Sequence, residues 1–98
     1  MYYCYILRSL RSGIFYIDTT DDVERCVIMH NGARFVSTKP NLPWELVWEG
    51  AYETEREARD FARYLKSNTG REYAYKKLIS LLYNDPPETE SRKRIFEA

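Results

Sequence analysis

The sequence predicts a small α+β domain: a three-stranded, mainly antiparallel sheet flanked by helices, in the order β-β-α-β-α-α. Two short runs of aromatic and apolar residues near the N-terminus are joined by a turn, a third such run follows two prolines, and helical periodicity appears in three segments. The 98 residues, 44% of them hydrophobic, suffice for one compact domain. We place this domain at residues 1–83, followed by a charged tail over residues 84–98 that is predicted to be a short helix or mobile.

The first two strands are predicted to form a β-hairpin. Residues 2–7 are rich in aromatic and apolar side chains, residues 11–13 supply an Arg-Ser-Gly turn, and residues 14–17 form the second strand. Because side chains alternate along a strand, Cys4 and Tyr5 are expected to point to opposite faces of the sheet.

A first helix is predicted over residues 21–31. Asp21 with Glu24 three residues later has the form of a capping box in its aspartate version, and Gly32 is a typical C-terminal stop. Spacing at i, i+3, i+4 and i+7 predicts one inward-facing stripe, made of Val23, Cys26, Val27 and His30.

The segment over residues 33–43 is irregular and contains Pro40 and Pro43, which predicts a loop. Strand composition resumes over residues 44–52, where alternation predicts Leu46 and Trp48 on one face. The loop therefore leads from the first helix into a third strand.

Two further helices follow. Thr54 and Glu57 form a standard capping box, and the second helix that they open has an apolar stripe of Ala58, Phe61, Ala62 and Leu65. Residues 67–70 are expected to break this helix. A third helix over residues 71–82 is expected to bury Ala74, Leu78 and Leu81 or Leu82.

The overall charge does not favour nucleic-acid binding. The 15 basic and 15 acidic residues cancel, whereas domains that grip phosphates are usually basic, although one basic face can suffice. Cys4 and Cys26 do not make a disulfide framework, no charged-then-apolar leader precedes the first strand, and no apolar run approaches about 18 residues. We therefore expect a soluble cytoplasmic protein that does not span a membrane.

Five segments in order carry a resemblance to a known family. They are Tyr-Ile-Leu-Arg-Ser at 5–9, Ser-Thr-Lys at 37–39, Pro-Trp-Glu-Leu-Val at 43–47, Tyr-Leu-Lys-Ser at 64–67 and Gly-Arg-Glu at 70–72. With the element order, and with Tyr5 and Tyr16 on the first two strands, they resemble the small single-domain form of the GIY-YIG nuclease superfamily. The likeness covers residues 1–82, most of the chain.

The resemblance implies cleavage of phosphodiester bonds with one divalent metal, Mg²⁺ or Mn²⁺. It implies that Tyr5 is the general base, that Tyr16 helps to position the nucleophile, and that His30 is the histidine often found on the first helix. Family members also carry an arginine on that helix, which stabilises phosphate charge, and a glutamate on the later helix, which holds the metal. Such a site suits phosphoryl transfer, which depends on positioning and charge neutralisation.

Three positions depart from this pattern. Asp18 stands where the second motif ends in glycine, Cys26 stands in place of the arginine, and Ala62 stands in place of the glutamate. Glu57 and Asp60 do not replace Ala62, because helical spacing aims them elsewhere. A thiol cannot imitate a bidentate phosphate donor. The site is therefore predicted to be degenerate, with no metal or other cofactor expected unless nuclease activity is retained.

Each of these residues also has a purely structural interpretation. Tyr5 and Tyr16 are ordinary strand residues, Cys26 and Ala62 fit core filling, and the Cys26–His30 spacing lacks a third metal ligand. Basic residues predicted to contact nucleic acid are Arg25, Lys39, Arg63 and Lys66, together with Arg56 and Arg59. Their acidic neighbours equally predict a solvated helix face with i,i+4 ion pairs.

We therefore predict a GIY-YIG-like domain that has lost cleavage and binds DNA, another nucleic acid or a protein. One alternative is an active or weakly active metal-dependent endonuclease. A second is a self-associating structural domain, whose protein partner or second copy would contact apolar residues: Phe35, Trp44, Trp48, Ile95 and Phe96.

Overall fold

The computed structural model describes residues 1–79 and shows one three-stranded sheet with helices on both faces. The strands β1, β2 and β3 are Tyr2–Ser9, Phe15–Thr20 and Trp44–Tyr52, arranged in the order β2-β1-β3 with antiparallel pairing throughout. The fold class and the element order predicted from the sequence are confirmed. The central position of β1 makes its side chains the middle of both packed layers.

The three α-helices are Val23–Asn31, Glu55–Lys66 and Asn68–Tyr73, here α1, α2 and α3. A 3-10 turn, Lys39–Asn41, lies in the loop before β3, and a π-helical segment, Ala74–Ile79, follows α3. Leu81, Leu82, the domain boundary at residue 83 and the tail lie outside the described residues, so the predictions made for them stay predictions.

Alternation along β1 divides the core into two clusters. Tyr5 and Leu7 pack with Cys26 of α1 on one face, whereas Cys4 and Ile6 pack with the α2 side of the sheet. The opposite directions predicted for Cys4 and Tyr5 are confirmed. The predicted helix stripes are also confirmed, because Val23, Cys26 and His30 of α1 and Ala58, Ala62 and Leu65 of α2 are buried, with Val27 and Phe61 half-buried.

The boundaries of β1 and β2 differ from the prediction. β1 continues to Ser9, and β2 starts one residue later and ends at Thr20, because Tyr5, Cys4 and Tyr3 pair with residues 18–20. Asp-Thr-Thr at these positions has no apolar alternation, so the sequence signal ends before the backbone pairing does.

The N-terminus of α1 also differs from the prediction. Asp22, not Asp21, is the N-cap: its carboxylate accepts the Arg25 backbone N–H at 3.0 Å and its backbone is extended at φ −152°. Asp21 instead lies 3.9 Å from the Arg25 guanidinium. Two adjacent aspartates offer the same cap chemistry, and the path of the chain from β2 decides between them.

In β3 the prediction that Leu46 and Trp48 share a face is wrong. The register with β1 shifts between Ile6 and Leu7, which pair with Trp48 and Leu46 respectively. The extra residue at Val47 forms a β-bulge, so Leu46 lies beside α1 while Trp48 packs against α2. A bulge changes the side-chain period, which strict alternation cannot anticipate.

The predicted break over residues 67–70 is a corner between two helices. Ser67 ends α2, and its hydroxyl caps α3 by accepting the Gly70 N–H at 3.1 Å. The third helix therefore starts at Asn68 and not at Arg71. The capping box of Thr54 with Glu57 at the start of α2 is present as predicted.

The aromatic residues considered for a protein interface are not all available. Trp44 is 4% exposed and belongs to the core cluster on the α1 face. Phe35 is half-buried, with its ring centroid 4.4 Å from that of His30. Trp48 is also half-buried, and Ile95 and Phe96 lie outside the described residues.

Replacing Gly70 with alanine is expected to lower the free energy of unfolding by roughly 1–3 kcal/mol, the usual range for an overpacked site. A methyl group there would overlap the Tyr64 carbonyl oxygen and lie 2.7 Å from the Leu65 Cα, and backbone atoms cannot rotate away. Urea unfolding followed by circular dichroism measures the loss.

Gly32→Ala is the matched control. Gly32 has φ −87°, and the nearest atom to an added Cβ is the Ile28 carbonyl oxygen at 3.3 Å, so a smaller loss is expected. Equal losses in the two variants would contradict a special close approach at Gly70.

Candidate active site

A buried chain of side-chain hydrogen bonds connects β1, α1 and the loop before β3. The Cys26 thiol donates to the Tyr5 hydroxyl oxygen at 3.2 Å, and that oxygen lies 2.9 Å from His30 Nε2. His30 Nδ1 in turn lies 2.9 Å from Thr38 Oγ1. The i,i+4 spacing on α1 places Cys26 and His30 on one face, so both reach the central strand.

The environment of His30 favours a neutral imidazole. Burial lowers its pKa below the ordinary value of 6.5, while the negative charge of Asp18 opposes part of the shift. A neutral imidazole has one N–H, and the Tyr5 oxygen already accepts the Cys26 thiol. We therefore assign the Tyr5 O–H as donor to Nε2 and the N–H to Nδ1, which donates to Thr38.

Thr38 is the residue of this network that the sequence alone did not single out. It is fully buried, and its carbonyl oxygen accepts the Trp44 indole N–H at 2.8 Å. The Asn31 side chain bonds both the backbone N–H and the carbonyl of Trp44, at 2.7 and 2.9 Å. The only sequence signal for Thr38 was its position in the Ser-Thr-Lys segment. An irregular loop has no periodicity that would mark Thr38 as buried.

Tyr16 and Asp18 form a second hydrogen-bonded pair on β2. The Tyr16 hydroxyl donates to Asp18 Oδ2 at 2.9 Å, and Asp18 Oδ1 accepts the Thr19 backbone N–H at 2.8 Å. Burial, together with the charge of Asp18 and this hydrogen bond, raises the pKa of Tyr16 to about 12. Both carboxylate oxygens of Asp18 therefore accept hydrogen bonds within the protein.

Tyr5 is an even weaker acid than Tyr16. Burial is the main cause that raises the pKa of the Tyr5 phenol well above its ordinary value of 10.0. Both phenols are therefore expected to be protonated near neutral pH.

Two adjoining cavities contain most of the predicted site residues. The smaller, about 250 Å³, is lined by Tyr5, Tyr16, Cys26, His30 and Arg25, among others. The larger, about 690 Å³, lies between β2 and α2 and is lined by Ala62, Arg63 and Lys66. Both cavities share residues 18–20, whereas Lys39 lines neither of them.

The residues at this site do not fit a carboxylate-held divalent metal. Ala62 is buried where the resemblance implies the metal-binding glutamate, and both Asp18 oxygens already accept hydrogen bonds. Within residues 1–79, no group of three or more His, Cys, Asp or Glu side chains is arranged to hold a metal ion. We derive no catalytic step through such a metal.

Ion pairs engage several of the predicted nucleic-acid-binding cations. Arg25 lies 3.9 Å from Asp21, Arg63 lies 3.3 Å from Asp60, and Arg59 lies 2.6 Å from Glu55. These side chains are largely exposed, so the pairs are weak. Lys66 is half-buried and makes no ion pair within the described part of the chain.

Together, the antiparallel sheet, Tyr5 on β1, Tyr16 on β2 and His30 on the helix that faces them define a small nuclease-like α+β domain. The family model described as the GIY-YIG catalytic domain matches residues 1–79. The chain belongs to the GIY-YIG family, as its five short segments predict. Searches of the curated proteins and of the solved structures gave no significant match. Over residues 1–79, no helix is both long and apolar enough to cross a membrane.

His30 is the single histidine of the chain, so the pH dependence of stability tests whether it is buried and neutral. Because the folded pKa of His30 is below 6.5, the stability that it contributes is present above that pH and is lost as the pH falls. Unfolding free energies measured between pH 7.5 and 5, above the carboxylate range of about 4, should therefore decrease.

NMR of the imidazole carbon-bound protons should show a midpoint below 6.5. His30→Gln removes the titrating group and should flatten the slope of stability against pH. A midpoint at or above 6.5 would contradict a buried, neutral histidine.

Asp18→Asn is expected to bring the pKa of Tyr16 down from about 12 toward 10, because it removes a nearby negative charge. A raised folded pKa means that the contribution of Tyr16 to stability is complete below about 10 and is lost as the pH rises toward 12. The tyrosine ring-carbon NMR shift next to the hydroxyl, assigned with Tyr16→Phe, reports the titration.

Asp21→Asn is the matched control. This substitution removes the same charge from an exposed side chain that has no hydrogen bond to Tyr16. If both variants moved the titration of Tyr16 equally, its contact with Asp18 would not be the cause.

Proposed function

We propose that this chain is a GIY-YIG domain that binds nucleic acid and has lost the metal-dependent cleavage of the family. The observation that carries the proposal is Ala62, a buried methyl group that lines the cleft where the resemblance implies a metal-binding glutamate. A methyl group cannot coordinate a cation, and Mg²⁺ takes oxygen ligands.

The surroundings of Tyr5 support the same proposal. Cys26, which replaces the implied arginine, donates its thiol proton to the Tyr5 oxygen and supplies no positive charge for a phosphate. Tyr5 itself is held as a protonated phenol between Cys26 and His30. The network that could have activated a nucleophile is therefore occupied by internal hydrogen bonds.

The α2 wall of the larger cleft is the surface that we assign to nucleic acid. Arg59, Arg63 and Lys66 line it. The exposed ion pairs of Arg59 and Arg63 are each worth only about 0–1 kcal/mol, so a phosphate can replace the carboxylate partner. Asp18 and Asp21 line the opposite wall and would repel phosphates, which directs a strand to the α2 side.

Binding is tested by fluorescence anisotropy with a labelled single-stranded oligonucleotide. If the three cations each neutralise one phosphate, the logarithm of affinity should fall against the logarithm of salt with a slope of about −2, at about 0.7 per contact. Lys66→Ala should weaken binding and reduce the slope. Lys39→Ala is the matched control, because Lys39 lines neither cavity.

Cleavage is tested on the same samples by plasmid nicking with Mg²⁺ or Mn²⁺. We expect background rates for the native chain and nicking in the combined variant Asp18→Gly, Cys26→Arg, Ala62→Glu. Nicking by the native chain that disappears in Tyr5→Phe would support the alternative of an active endonuclease, which the clustering of Tyr5, Tyr16 and His30 favours. Absence of affinity even at low salt would overturn the binding proposal.

A further inference from the structure

A groove on the α1 face lies apart from both cavities of the candidate active site. It measures about 690 Å³ and runs between α1 and β3. Its apolar lining is Tyr3, Val23, Val27, Ile28 and Leu46. Ile28 is 65% exposed and Leu46 is 36% exposed, which is unusual for two large aliphatic side chains that lie together.

The β-bulge at Val47 helps to create this groove. It turns Leu46 toward α1, so that an aliphatic side chain of the edge strand lies opposite Ile28 of the helix. β3 is an edge strand of the described sheet, with β1 on one side and no strand on the other. The apolar surface is therefore open at the side of the sheet.

The rim of the groove is acidic. Its charged residues are Asp21, Asp22, Glu24 and Glu49. Arg25 lies 3.9 Å from Asp21, but Glu24 and Glu49 form no ion pair within residues 1–79, and both are exposed. An apolar floor with a negative rim requires an occupant that carries both large apolar side chains and positive charges.

We propose that this groove binds the C-terminal segment of the same chain, residues 92–96. That segment reads Arg-Lys-Arg-Ile-Phe, three consecutive cations followed by two large apolar residues. The charges complement the acidic rim, and the two apolar side chains match the floor. This inference is independent of the nucleic-acid function, because the groove shares only Asp21 with the larger cleft.

The length of the connection permits this docking. The described chain ends at Ile79 in the π-helical segment, which contacts β3, the strand that borders the groove. Residues 80–91 can span roughly 40 Å when extended, at about 3.3–3.6 Å per residue. The largest dimension of the described fold is 33 Å. Tethering also raises the local concentration of the segment to about the millimolar range, so modest contacts suffice.

Paramagnetic relaxation in the full chain tests the proposal. A nitroxide attached through Ala98→Cys should broaden the backbone amide signals of Ile28 and Leu46 and leave that of Tyr64, on α2, unchanged. The native thiols of Cys4 and Cys26 are buried, so the label is directed to the tail. Raising the salt from about 0.01 M to about 1 M should reduce the broadening, since the screening length falls from about 30 Å to about 3 Å.

Charge reversal identifies the contacts. Glu24→Lys and Glu49→Lys should each lower the ratio of docked to undocked segment by a factor of about 1.5 to 5, the range of one exposed ion pair. Glu53→Lys, an exposed acid outside the groove, is the matched control. Reversing all three tail cations should abolish the broadening, and combining that change with the two groove variants should restore it.

Unbroadened Ile28 and Leu46 signals at low salt would overturn the proposal, and so would equal effects of the Glu53 and Glu49 variants. In a mixed sample, the isotope and the nitroxide are on different chains. This sample distinguishes docking of the segment within one chain from docking of a segment that a second copy supplies. Broadening in that sample would show that a second copy supplies the segment, which would overturn docking within one chain. A failure of nucleic-acid binding would leave these results unaffected.

Discussion

The chain of hydrogen bonds from Cys26 through Tyr5 and His30 to Thr38 is the interaction on which the rest of the structure depends. It connects the central strand, the first helix and the loop before the last strand, which have no regular backbone pairing with one another. Every member is buried, so a missing partner would leave a desolvated polar group at a cost of roughly 1–3 kcal/mol. The network therefore determines the path of the loop as well as the site.

The same site holds both Tyr5 and Tyr16 in hydrogen bonds within the protein. In a catalytic site a hydroxyl must be free to exchange a proton with substrate or water. Here the Tyr5 oxygen accepts from Cys26 and its proton is directed to His30, while the Tyr16 proton is directed to Asp18. Cys26 and Asp18 thus act as structural partners of the two phenols, while burial and the charge of Asp18 raise the cost of ionising them.

The residue at position 62 affects the shape of the cleft between β2 and α2. The small side chain at Ala62 leaves room in the cleft between β2 and α2, whose one wall is basic and whose other wall is acidic. The two walls of the cleft therefore differ in electrostatic potential. The groove on the opposite face of the sheet has an acidic rim, so charge is distributed unevenly over the surface despite the zero net charge of the chain.

The sequence by itself determined the fold class, the family and the two helix stripes, because these depend on local periodicity and on short motifs. Only the tertiary structure decided which aspartate caps α1 and where β2 ends. It also decided that Ser67 caps a new helix and that Thr38 completes the network. It also separated Lys39 from the cavities that Arg25 and Lys66 line. These outcomes depend on strand register, on a β-bulge and on the path of an irregular loop, and such features arise from contacts between residues distant in sequence.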